Sequence, residues 1–103
     1  MAEKKQQETK EIKIEIQLDE ETAQGVYSNL LVTNHSDSEF ILDFVFLQPQ
    51  APRAKVRSRV VTSPRHAKRM LASLHENVRK FEEQFGQIDL GPVPDAKTVG
   101  KYH

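Results

Sequence analysis

From Ala67 to Phe85, apolar residues fall at Ala67, Leu71, Leu74, Val78, Phe81 and Phe85, in steps of four and three. That spacing lays one apolar seam along a helix and suits no strand, whose side chains alternate with period two. Ser63-Pro64 supplies the start, with serine as N-cap and proline at the first helical position, where its missing N–H costs nothing. Gly86 supplies the left-handed stop. The pattern predicts a helix about 30 Å long, longer than short strands can cover. The seam then serves as a core stripe under a sheet, as a dimer interface, or as both along its length, with Leu74, Val78, Phe81 and Phe85 assigned to a second subunit.

Four strands are expected before that helix. Ile12, Ile14, Ile16 and Leu18 alternate with Lys13, Glu15 and Gln17, the mark of a half-buried strand. Asp19 to Gly25 holds three acids and a glycine and reads as a short helical turn or a polar connection. Val26–Asn34 reads as the second strand and Glu39–Leu47 as the third, joined at His35-Ser36-Asp37-Ser38 by a turn of self-bonding polar residues. Phe40, Leu42, Phe44 and Phe46 form one face of the third strand; Ile41, Asp43, Val45 and Leu47 form the other. Pro49 and Pro52 break the run before a fourth strand, Arg53 to about Val61. The fold class is therefore α+β, a four-stranded antiparallel sheet followed by one long carboxy-terminal helix, as a homodimer. One helix covers one sheet face, so the other binds something or is covered by dimerisation.

The 103 residues make one domain, assigned to 12–86, between a disordered tail over 1–11 and an extended tail over 87–103 that docks Ile88, Leu90 and Val93 locally. No leader-like or membrane-length apolar run is present, so a cytoplasmic location is the expectation. There is no cysteine, which removes disulfides and thiolate metal sites. Net charge is zero from 15 basic and 15 acidic residues, but the signs are segregated. Met1–Gln24 holds four basic and seven acidic residues, whereas Gln48–His75 holds seven basic and none acidic.

Those seven cations carry the functional expectation. Arg53, Lys55, Arg57 and Arg59 fall on every second residue, so a regular strand projects all four from one face, opposite Ala54, Val56, Ser58 and Val60. Arg65, Lys68 and Arg69 extend them onto the helix. Such a patch attracts phosphate backbones, and Tyr27 is the sheet's candidate stacking residue, the phenylalanines being read as core. The plainer reading is a solvated edge strand guarded by its charges. His35 with Asp37, or His66 with His75, does not make a metal site, since the helical pair lies nine residues apart rather than four. No nucleophile elbow, phosphate loop or dinucleotide fingerprint appears, so neither an enzyme nor a cofactor is expected. Asp43, on a mostly apolar strand face, is assigned a structural ion pair with Arg57 or Arg59.

The strings GVYSN at Gly25–Asn29, NHS at Asn34–Ser36, EF at Glu39-Phe40, DF at Asp43-Phe44 and KVRSRVVTSPRHAKRML at Lys55–Leu71 resemble a bacterial domain-of-unknown-function family of about this length. The resemblance spans roughly residues 12–86 and implies no active site, while genes placed beside those for RNA polymerase subunits would imply a transcription-linked role. In element order alone the chain also looks like the single-strand-binding PUR and whirly folds. The functional expectation is a non-enzymatic module for single-stranded DNA or RNA. The alternative is a protein-interaction module whose basic surface meets an acidic partner, such as a transcription-machinery protein.

Overall fold

The computed structural model describes residues 11–92; most of the two expected tails, including Val93, lies outside them. A short helix α1, Glu20–Ala23, is followed by strands β1 (Leu30–His35), β2 (Phe40–Leu47) and β3 (Ala54–Thr62) and by the long helix α2, Pro64–Phe85. The strands form one antiparallel sheet in the order β1-β2-β3. The fold is α+β as expected, with three strands rather than four. The segment Ile12–Leu18 has the alternation of a strand but joins no ladder, and its apolar side chains are exposed. Val26 to Asn29 also precedes the sheet rather than opening it.

Local chemistry accounts for the ends of each element. Asp19 caps α1 by accepting from the Thr22 amide at 2.8 Å. Ser36 turns β1 into β2, its hydroxyl accepting from the amides of Ser38 and Glu39 while its own amide bonds the Glu39 carbonyl. Asn29 ties the start of β1 to the end of β2: its side-chain oxygen accepts from the Leu47 amide at 2.8 Å and its side-chain nitrogen donates to the Leu47 carbonyl at 3.0 Å. Ser63 caps α2 through the His66 amide, Pro64 occupies the first turn, and Gly86 ends the helix at φ +101°, a conformation open to glycine and strained for other residues. Start, length and stop of α2 all match the sequence reading.

Packing is where the single chain falls short. Among the described residues, Val45 is the one buried apolar side chain, 4% exposed, and Asp43 is buried beside it in sequence space two positions earlier on the same face. No residue of α2 is buried, and Leu74, in the middle of the seam, is 64% exposed. The helix therefore projects from the sheet instead of lying across it. The radius of gyration is 18.8 Å, against about 13 Å for a compact chain of 100 residues. The chain exposes 9728 Å², where a compact one of 11.8 kDa exposes about 5,900 Å².

Candidate nucleic-acid interface

The register of β2 against β3 decides where the basic residues go. Asp43 pairs with Arg59 and Phe44 with Ser58, but Val45 pairs with Val56, which leaves Arg57 as an extra residue with no partner on β2. One extra residue reverses the alternation beyond it. Arg59 thus shares the face of Ile41, Asp43 and Val45, whereas Lys55, opposite Phe46, shares the face of Phe40, Phe44 and Phe46. The expected single row of four cations is divided: Lys55 and Arg59 lie on opposite sides of the sheet. The same shift places Val56 and Val60 on opposite faces rather than together toward a core.

Arg59 is further committed to Asp43. Its Nε donates to one carboxylate oxygen at 2.7 Å and its Nη2 to the other at 2.9 Å. Asp43 is 1% exposed while the Arg59 side chain is half exposed, so the carboxylate is the buried member and the guanidinium seals it from the edge. The ion pair expected for Asp43 is present, with Arg59 as the partner. A planar fork of this kind fixes orientation as well as charge.

The opposite face carries rings. Tyr27, 70% exposed, packs edge-on against Phe46 with ring centroids 6.1 Å apart and planes at 69°. Lys55 lies across from that same Phe46 on β3, and Arg53 stands just before the strand. At the other end of the face His35 stacks on Phe40, centroids 5.3 Å apart and planes inclined by 24°. Phe40, Leu42, Phe44 and Phe46 between them are half-buried. At about 3.3 Å per residue, the two aromatic pairs stand on the order of 20 Å apart. Phe40 pairs with Thr62, two residues before α2, so Arg65, Lys68 and Arg69 follow the His35–Phe40 end while Arg53 and Lys55 flank the Tyr27–Phe46 end.

The arrangement sets both Tyr27 and Lys55 beside Phe46, puts Arg59 on the other face, and leaves Arg57 in the bulge. All of Arg53, Lys55, Arg57, Arg65, Lys68 and Arg69 are exposed. Phe46 was not expected at a surface; the signal was present, since one helix cannot cover two sheet faces. The bulge had none, because neither glycine nor proline marks Arg57. Along α2, Arg79 bonds both Glu76 and Glu83. The hydrogen bond from Arg79, with its charge, holds the Glu76 carboxyl below the usual glutamate range. Among the described residues no three His, Cys, Asp or Glu side chains stand close enough to hold a metal ion, and no helix is long and apolar enough to cross a membrane.

Residues 1–90 match the family described as Protein of unknown function (DUF3467). The chain belongs to that family. No curated protein and no solved structure matches this DUF3467 chain, and with three strands rather than four it lacks the element order that suggested the PUR and whirly folds.

Proposed function

We propose that the chain is a non-enzymatic module that binds single-stranded DNA or RNA along the aromatic face of its sheet. The observation that carries this reading is the Tyr27–Phe46 pair with Lys55 across from it. A ring exposed on a sheet gives a base a surface to stack on, and a neighbouring cation takes the phosphate beside it. Arg53 and Lys55 serve one end of the bound strand; Arg65, Lys68 and Arg69 serve the other. Arg59 holds the sheet together through Asp43 instead of contacting phosphate. Tyr27 stacks, with Phe46 as its support.

The functional unit in this reading is a homodimer. The exposed seam of α2, through Leu74, Val78, Phe81 and Phe85, meets its equivalent on a second copy, where Phe81 and Phe85, already in contact at 4.9 Å, join a shared apolar layer. The absence of any acid from Gln48 to His75 favours a second reading, in which the same cations meet an acidic protein.

Fluorescence polarisation with labelled single-stranded oligonucleotides over a salt series tests the proposal. Five phosphate contacts give a log–log slope of about −3.5 for a single strand, or about a hundredfold weaker binding between 50 and 200 mM salt. Absence of binding at about 50 mM salt overturns the nucleic-acid reading.

A further inference from the structure

The segment Ile12–Leu18 is the part of the chain whose sequence and structure disagree most. Its alternation is that of a strand with one apolar face, yet its four apolar side chains are exposed, Ile16 to 87%. Seven such residues without a partner are unfavourable in water, because both the apolar row and the backbone groups of an unpaired strand seek cover.

Among the described residues the outer edge of β3 pairs with no strand and matches that segment. The bulge at Arg57 interrupts that edge, but Ser58–Thr62 is regular, and Val60 and Val61, on opposite faces there, are 38% and 52% exposed. Charge selects this edge over the other. Arg57 lies at its bulge, Arg59 on it is already paired with Asp43, and Arg65, Lys68 and Arg69 follow it, whereas β1, Leu30–His35, contains no Lys or Arg. The incoming segment carries Lys13 and Glu15 and is flanked by acids on both sides, Glu11 before it and Asp19-Glu20-Glu21 after it. Opposite charges on neighbouring strands favour pairing, and like charges disfavour it.

We propose that Ile12–Leu18 of one copy adds as a fourth strand to the Ser58–Thr62 edge of a second copy, and reciprocally, giving a strand-exchanged homodimer. In the single chain the segment joins no strand and leads through residues 19–29 into β1, two strands away from β3, so the occupant proposed for the β3 edge is a partner's segment. The exchange places the acidic front of one chain against the basic middle of the other. It occupies the helix-proximal half of β3 and leaves Lys55, Tyr27 and Phe46 open. The inference rests on the dimer proposed above and adds to the helix seam a second, separately testable contact.

The lack of native cysteine makes the test direct. Two differently tagged copies are coexpressed, one with cysteine at Lys13, Glu15 or Gln17 in turn, the other with Val60→Cys or Val61→Cys on β3 or Thr33→Cys on β1. A disulfide needs Cβ atoms about 4 Å apart, so only strands that pair are joined. The expected result is a mixed-tag covalent dimer on mild oxidation with a β3 cysteine and none with Thr33→Cys. Failure of every pairing, or cross-linking through Thr33→Cys instead, overturns the strand exchange. Sedimentation of the native chain separates the two claims: a dimer that does not cross-link at β3 keeps the helix pairing and sinks the exchange, and a monomer sinks both.

Discussion

Arg59 grips Asp43 with two hydrogen bonds of 2.7 and 2.9 Å across adjacent strands, and the carboxylate it holds is 1% exposed. Removing the guanidinium leaves a buried anion with part of its hydrogen bonding gone, which costs about 2 kcal/mol, less than for a fully enclosed pair because Arg59 is half exposed. Arg59→Ala is therefore expected to lower the urea midpoint clearly, while Arg57→Ala, in the bulge and without a β2 partner, shifts it by no more than about 0.5 kcal/mol. Equal effects of the two substitutions would contradict the register.

The same division separates binding from stability. Lys55→Ala is expected to reduce the salt slope of oligonucleotide binding by about 0.7, the share of one phosphate contact on a single strand. Tyr27→Ala is expected to weaken binding by about 1–3 kcal/mol with little change in slope, since stacking is not ionic. Both are read by fluorescence polarisation across salt, with the urea midpoint as the control for folding.

The seam of α2 gives a prediction that distinguishes an interface from a core. In the single subunit Leu74 is 64% exposed and Phe81 48%, so an aspartate at either site meets water and leaves a monomer almost unaffected. In the proposed dimer it buries a charge, costing several kcal/mol. Leu74→Asp or Phe81→Asp should convert a dimer to a monomer in sedimentation at micromolar concentration. A native chain that is already monomeric there removes the interface.

Acid should weaken the Arg79–Glu76 contact in the second half of α2. Because Arg79 lowers the folded-state value of Glu76, the carboxylate contributes stability that is fully present above its unfolded value and is lost as pH falls through the lowered folded value. Carboxyl NMR titration is expected to place Glu76 below the ordinary glutamate range, and Arg79→Ala to bring it back. A midpoint for Glu76 already in that range would remove the Arg79 contact from solution.

The helix was the most legible part of the chain, since Ser63, Pro64 and Gly86 act locally and the four-three spacing needs no knowledge of what lies opposite. The third and fourth strands read from sequence appear as β2 and β3 within a residue at each end, and the pairing of Asp43 with an arginine followed from one acid on an apolar face. Two things were not legible. Alternation locates charges on one face only while the register holds, and the extra residue at Arg57 breaks it without any glycine to announce it. Ile12–Leu18 carries the right period for a strand, but period says nothing of where the neighbouring strand is. Tyr27 was legible as a surface ring; Phe46 was read as core although one helix cannot cover both faces of the sheet, because a phenylalanine on an apolar strand does not show which face is left open.

The most direct test of the nucleic-acid platform is an amide-resolved NMR titration of the full chain with a short single-stranded oligonucleotide at about 50 mM salt. The largest shifts are expected at Tyr27, Phe46 and Lys55, with smaller ones near Arg65 to Arg69. Shifts confined to the helix start, or none at all, would contradict it.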